Sequence, residues 1–236
     1  ALKKTVMELG GADPYIVLPD ADINQAVEVC VRTRLFNAGQ VCISAKRLIV
    51  HADVFDVFCN QLKTLISAYV PGDPLIESTV LGPLAREDLR RHLHQQVTDS
   101  IAQGATCLSG GVCPDGIGFF YPATVLTDIQ KGMPAYDEEL FGPVLSLFKV
   151  QTIEEAIDLA NDTQFGLTGA VFSKNIDTAQ TVAKALQVGS CGINQPVHSY
   201  FEVPFGGVKG SGYGRELGQL GCYEFANIKS ILMQSV

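Results

Sequence analysis

Two side chains in this 236-residue sequence have the types and settings of a nucleophile and a base. Cys42 stands in Phe36-Asn37-Ala38-Gly39-Gln40-Val41-Cys42-Ile43-Ser44, directly after a polar break that contains a glycine. A cysteine attacks as its thiolate, and with an unperturbed pKa of about 8.5 only a small fraction is ionised at neutral pH. Such a residue needs a base or a dipole beside it. Glu8 stands in Val6-Met7-Glu8-Leu9-Gly10-Gly11, a carboxylate near the end of an apolar run followed by two glycines. Glycine pairs permit close backbone approach, and a carboxylate held there can act as a general base. Each residue taken alone also has a structural reading: a free cysteine is often a small buried hydrophobe, and Glu8 can be an exposed strand end.

The surrounding pattern says what holds them. Ile23, Ala26, Val27, Cys30 and Val31 recur at spacings of three and four, which predicts a helix that Gly39 is placed to stop. Arg47 to Val50 reads as a strand, so Cys42 falls on a connection between two rigid elements. Tyr15 to Leu18 is a further strand, with Asp20 or Asp22 as cap of the helix after it. Residues 53–70 trace a second helix, stopped by Pro71-Gly72-Asp73-Pro74, and Leu89, Leu93, Val97 and Ile101 a third, ended by Gly104. Extended segments follow at 106–109, 121–126 and 144–150, then a helix opened by the capping-box pair Thr152 and Glu155 and running to about Asn161. Residues 170–173, 176–186 and 190–193 read as strand, helix and strand. This alternation predicts an α/β fold, a three-layer sandwich whose mostly parallel sheet is covered by helices on both faces. No repeat or linker interrupts it, so one domain is expected over 1–215, and residues 225–236 alternate loosely as a bare terminal strand open to pairing with another chain.

Composition bounds the partners. With 47% hydrophobic and 18% charged residues the chain reads as globular, and its net charge of −8, from 25 acidic and 17 basic residues, argues against a nucleic-acid partner. The opening Ala1-Leu2-Lys3-Lys4-Thr5-Val6 lacks the apolar core of a signal peptide, and no stretch approaches the roughly 18 apolar residues of a membrane span. A cytoplasmic protein without a membrane partner is expected. The seven cysteines, at 30, 42, 59, 107, 113, 191 and 222, form an odd set without a Cys-x-x-Cys pair, which favours reduced thiols over a disulfide framework. The four histidines have no ligand-spaced neighbours, so no metal is expected. The run Gly206-Gly207-Val208-Lys209-Gly210-Ser211-Gly212-Tyr213-Gly214 departs from Gly-x-Gly-x-x-Gly and follows no strand directly. It reads as backbone that must bend and pack closely.

Taken together, the Glu-Leu-Gly-Gly segment at 8–11 and the Gly-Gln-x-Cys segment at 39–42 resemble the signatures of the aldehyde dehydrogenase superfamily. The resemblance continues through Glu138-Glu139-Leu140-Phe141-Gly142-Pro143, Asn161-Asp162-Thr163-Gln164-Phe165-Gly166-Leu167 and Pro204-Phe205-Gly206-Gly207-Val208-Lys209-Gly210-Ser211-Gly212, in order and over essentially the whole chain. It implies the catalytic half of a larger enzyme. The nucleotide-binding half, together with the Asn that shares in holding the oxyanion, would precede Glu8. It further implies NAD or NADP as cofactor, a small-molecule aldehyde as substrate and a homodimer or homotetramer, with residues 216–236 leading towards the oligomer interface. By the same resemblance Cys42 would form a thiohemiacetal and then a thioester, which Glu8 would hydrolyse by activating water. Glu139 would hold the nicotinamide ribose and Phe141 would lie beside the nicotinamide. Phe205 would line the aldehyde tunnel and Glu216 would relay protons.

Around 88–90, 94–97 and 102–105 the chain is most similar to bacterial succinate semialdehyde dehydrogenases, and Ser199 lies where some of these place a serine against the distal carboxylate. Phe36 occupies the position where many carry an arginine for that group, and Arg32 and Arg34 are not at the matching position. Ser44 stands where some relatives place a second cysteine able to form a regulatory disulfide. Two alternatives stay open: a coenzyme A-acylating enzyme, which has no need of Glu8 as a base for water, and a non-catalytic structural or interaction module.

Overall fold

The computed structural model describes residues 2–235. In chain order its elements are β1 (Met7–Glu8), β2 (Pro14–Val17), α1 (Ile23–Leu35), β3 (Arg47–His51), α2 (Ala52–Ile66), α3 (Glu87–Ala102), β4 (Thr106–Ser109) and β5 (Thr124–Thr127). There follow α4 (Pro134–Asp137), β6 (Val144–Val150), α5 (Ile153–Asn161), β7 (Phe165–Gly166), β8 (Thr168–Phe172), α6 (Ile176–Ala185), β9 (Ser190–Ile193), β10 (Val208–Lys209), β11 (Gly212–Tyr213) and α7 (Gly218–Glu224). Seven strands form one sheet in the order β4-β5-β6-β3-β2-β8-β9, parallel except where β4 runs against β5.

The crossovers explain the layers. From β2 the chain moves to β3 on one side, and from β6 it returns across the sheet to β8 and β9 on the other. Right-handed connections running in opposite directions place their helices on opposite faces. Accordingly α1 and α2 pack on each other against β2, β3 and β6, while α5 and α6 pack on each other over β2, β3, β8 and β9. Covered on both sides, the central strands carry near-continuous apolar runs: Tyr15, Ile16 and Val17 in β2 and Leu48, Ile49 and Val50 in β3 are all fully buried. The expected three-layer α/β architecture is the one observed.

Several boundaries differ from expectation. The helix leading to Cys42 stops at Leu35, not at Gly39, because Phe36 turns to extended backbone; Asn37, Ala38 and Gly39 then form a left-handed turn with φ of 51°, 53° and 74°. The second helix ends at Ile66 and tightens into three-residue turns, Ala68 N–H to Leu65 O and Tyr69 N–H to Ile66 O, so Tyr69 keeps its inward face outside the helix proper. Strand β5 begins only at Thr124, since Pro122 has no N–H for a ladder. Among the described residues no strand follows α7. Phe225, Ile228, Ile231, Leu232 and Met233 are all strongly exposed, with no neighbouring edge in the same chain to pair with, and the expected terminal strand gives way to irregular backbone.

Candidate active site

Glu8, Cys42, Glu139 and Phe141 lie on segments that lead into the amino ends of parallel strands, whereas Ser199, Phe205 and Glu216 follow β9. Glu8 to Asp13 precede β2, Cys42 to Lys46 precede β3, Glu139 to Pro143 precede β6 and Phe165 to Leu167 lead into β8. Pro14 pairs with Arg47, and Arg47 with Ser146, so the sheet register carries these segments to one edge.

At that edge the first three segments interlock. A Cβ on Gly11 would lie 2.7 Å from the backbone carbonyl oxygen of Cys42, a contact that requires glycine there, and one on Gly10 would press on the Glu139 carboxylate. The Gly11 N–H donates to Glu139 Oε1 at 3.2 Å. Lys46, fully enclosed, places Nζ 3.0 Å from the same oxygen and donates to the carbonyls of Cys42, at 2.7 Å, and Val41, at 3.1 Å. Gly39 is seated against the Gly142-Pro143 backbone, with no room for a side chain, in a left-handed conformation that suits glycine. Gln40 fastens the turn from outside: Oε1 accepts from Ala85 N–H at 2.9 Å and Nε2 donates to Asn37 O at 3.1 Å.

Cys42 is half-buried. Burial pushes its thiol up; the Lys46 cation and the Ile43 and Cys42 N–H groups oppose this, while Asp13 adds to it. Asp13 is itself buried beneath the site, accepting from the Thr168 N–H at 3.1 Å and from the Thr168 hydroxyl. Burial raises its carboxyl to about 6 despite Lys46, Thr168 and Arg47.

Glu8 belongs to β1, which pairs antiparallel with β11 so that Glu8 faces Gly212. The glycine-rich run therefore packs backbone against the base segment: Leu9 N–H donates to Ser211 O at 3.0 Å, and Ser211 Oγ to Gly10 O at 2.6 Å. Both Glu8 carboxylate oxygens are shielded from solvent and have no hydrogen-bond partner among the described residues. Burial raises the carboxyl, Glu216 raises it further and Arg215 partly offsets them. Glu216 is tied to the buried Phe205 by reciprocal backbone bonds, Phe205 N–H to Glu216 O at 2.8 Å and Glu216 N–H to Phe205 O at 2.7 Å. Phe205 and Glu216 are thus brought to the Glu8 side of the site.

The remaining candidates spread outward. Glu139 Oε2 makes no hydrogen bond among the described residues and faces Gly10, while Glu138 is held by Gln96 Nε2 at 2.7 Å. Phe141 is partly exposed, Phe36 is 70% exposed, and Ser199 and Arg32 are on the surface. Arg34 is spent elsewhere: its buried guanidinium donates to Ser44 Oγ at 2.6 Å, Val144 O at 2.5 Å and the Leu140 carbonyl, and burial lowers it to about 9.

Sequence reasoning left Lys46, Asp13 and Arg34 without roles. One signal was present for Lys46: Lys46-Arg47 opens the buried run Leu48-Ile49-Val50, and charges entering a buried strand require partners. Arg47 finds them in the carbonyls of Ala12, Leu159 and Ala160. Among the described residues no group of three or more His, Cys, Asp or Glu is placed to hold a metal ion, and no helix is long and apolar enough to cross a membrane.

Known proteins resemble this chain in sequence and structure. The chain is 50% identical over 230 residues to a succinate-semialdehyde dehydrogenase [NADP(+)] of Deinococcus radiodurans, covering 98% of this chain and 48% of that protein. It is 47% identical over 230 residues to an aldehyde dehydrogenase of Paenarthrobacter nicotinovorans, covering 98% of this chain and 50% of that protein. In structure it superposes with a TM-score of 0.95 on succinic semialdehyde dehydrogenase from Streptococcus pyogenes in complex with NADP+, at 41% identity, covering 99% of this chain and 51% of the other. The chain thus spans about half the length of the curated relatives it matches. Residues 1–231 match the aldehyde dehydrogenase family, and the chain belongs to that family.

Proposed function

We propose that this chain is the catalytic half of an NAD(P)-dependent aldehyde dehydrogenase, residues 1–215 forming the catalytic domain and 216–236 leading towards an interface between subunits. The reaction is aldehyde + NAD(P)+ + water → carboxylic acid + NAD(P)H + H+. The observation that carries the reading is the interlock of three segments at one sheet edge, with Gly11 against the Cys42 carbonyl and Glu139 bonded to Gly11.

In this reading the Cys42 thiolate adds to the aldehyde carbon and the Cys42 backbone N–H donates a hydrogen bond to the developing oxyanion, a contribution typically worth roughly 3 kcal/mol. The bound dinucleotide supplies the hydride acceptor. Glu8 then takes a proton from the water that attacks the thioester, releasing the acid and freeing the Cys42 thiolate. Its unpaired, shielded carboxylate suits that task, because burial moves the carboxyl towards neutral pH. Glu139 suits a ribose diol: Oε1 is anchored by Lys46 and Gly11 while Oε2 retains free accepting capacity. Phe141 offers an exposed ring on the same turn.

The substrate reading is succinate semialdehyde, supported by the names of the Deinococcus radiodurans and Streptococcus pyogenes relatives and by Ser199 at the surface of the 195–204 loop. Neither Arg34, committed to carbonyls, nor Phe36 can hold a carboxylate. Any cation for it comes from elsewhere. The test is formation of reduced cofactor by a protein carrying this chain with its nucleotide-binding half, using succinate semialdehyde, an uncharged aldehyde of equal length and Cys42→Ser as control. Equal rates with both aldehydes would reject the substrate assignment, and an active Cys42→Ser would reject the mechanism.

A further inference from the structure

We propose that Lys46 is a positioning residue for the nucleophile: its ammonium clamps the carbonyls of two successive peptides, Val41–Cys42 and Cys42–Ile43, and thereby directs their N–H groups towards the Cys42 side chain. The inference rests on Cys42 being the nucleophile. Lys46 Nζ lies 3.1 Å from Val41 O and 2.7 Å from Cys42 O. In a trans peptide the C=O and the following N–H point in opposite directions, so fixing Val41 O fixes the Cys42 N–H and fixing Cys42 O fixes the Ile43 N–H. A cation on a carbonyl also polarises the peptide and strengthens its N–H as a donor. Both N–H groups favour the Cys42 thiolate. The Cys42 N–H is also the donor assigned above to the oxyanion.

Lys46 is itself fixed. Its third partner is Glu139 Oε1 at 3.0 Å, and its backbone N–H donates to Asp13 O at 3.3 Å. The charged groups around it are Asp13 and Glu139, which stabilise the ammonium, and Arg34, which opposes it. Around the Cys42 sulfur the charged groups are Lys46, which favours the thiolate, and Asp13, which disfavours it. Removing the ammonium therefore leaves Cys42 beside Asp13 without compensation.

The test is the pH dependence of iodoacetamide labelling at Cys42, read by mass spectrometry on this chain, with the exposed Cys222 as internal reference. In Lys46→Met the Cys42 midpoint should rise by about one pH unit while Cys222 stays put. Lys46→Gln, which keeps an N–H donor without the charge, should fall between, and it carries the test should the Met variant fail to fold. In the protein with its nucleotide-binding half, kcat should fall roughly tenfold, less than the loss of an oxyanion donor itself, with little change in the aldehyde KM. A folded variant whose Cys42 midpoint does not move overturns the proposal. Because the labelling involves neither aldehyde nor cofactor, a shifted midpoint without aldehyde oxidation upholds Lys46 and rejects only the proposed activity.

Discussion

A methyl group on Gly11 would sit 2.7 Å from the carbonyl oxygen of Cys42, closer than a carbon and an oxygen can rest. The two segments that carry the candidate base and nucleophile are thus in contact although 31 positions separate Gly11 from Cys42 in sequence. Gly11→Ala should displace the Cys42 loop and leave the sheet intact. The expected result is an unchanged far-ultraviolet dichroism spectrum with Cys42 labelling slowed and kcat lowered by roughly a hundredfold, the scale of a misplacement of about 1 Å. Unaltered labelling would mean that the loop yields without cost.

Glu8 supplies a prediction in which stability and activity move in opposite directions. Its carboxyl is raised in the folded chain by burial and by Glu216, so the folded state binds the proton more tightly than the unfolded one. Stability from this group is greatest below the usual carboxylate range and is lost as pH rises through the raised value. Glu8→Gln removes the unpaired charge. It should raise Tm at pH 7 by about 2 °C and by nothing near pH 3.5. In the same variant thioester hydrolysis should slow far more than hydride transfer, giving a burst of reduced cofactor followed by a slow steady state. Loss of the burst together with turnover would remove Glu8 from the hydrolytic step.

What could be read from sequence follows from local signals. Strand β6 and strand β9 were bounded correctly because apolar runs flanked by turn residues are local, and the Thr152 cap was found because capping is a three-residue pattern, accepting from Glu155 N–H; between Asp20 and Asp22 as the earlier cap the structure selects Asp22, which accepts from Gln25 N–H. The end of α1 was missed because a left-handed turn at Asn37 and Ala38 is a tertiary matter, imposed where Gly39 presses on Gly142. Cys42, Glu8 and Glu139 could be singled out as candidates through resemblance. Lys46 and Asp13 could not, since their roles depend on segments far apart in sequence meeting at the strand ends, and no spacing within one segment encodes that meeting. Ligands of open parallel sheets usually sit beyond the carboxyl ends of strands, whereas these segments gather at the amino ends.

Cysteine reactivity gives an order, not merely a winner. Cys30 is fully buried and its thiol is pushed far up by burial, and Cys191 is pushed up to about 12. Cys42 is raised by burial too, but Lys46 opposes the shift. In this chain Cys222, the one exposed cysteine among the described residues, should label readily, Cys42 should follow with a marked pH dependence, and Cys30 and Cys191 should resist. Labelling of Cys30 before Cys42 would contradict the geometry.

Arg34 is a fully buried charge and should prove to be a structural residue, not a substrate contact. It is fully buried, and its guanidinium donates to the Ser44 hydroxyl and to the carbonyls of Leu140 and Val144, so it binds the helix before the cysteine loop to the turn that carries Glu139 and Phe141. Arg34→Met would leave those carbonyls without donors in a site too tight to admit water freely, and the charge it removes is not balanced by a single carboxylate partner. The expected loss is about 3 kcal/mol, within the range for breaking a buried hydrogen-bonded charge, seen as a lower midpoint in urea. Arg34→Lys should recover only part of it, because one ammonium cannot reproduce the planar fork. If Arg34→Met instead unfolded at the wild-type urea midpoint and selectively raised KM for an acidic aldehyde, Arg34 would have to be reassigned from scaffold to substrate.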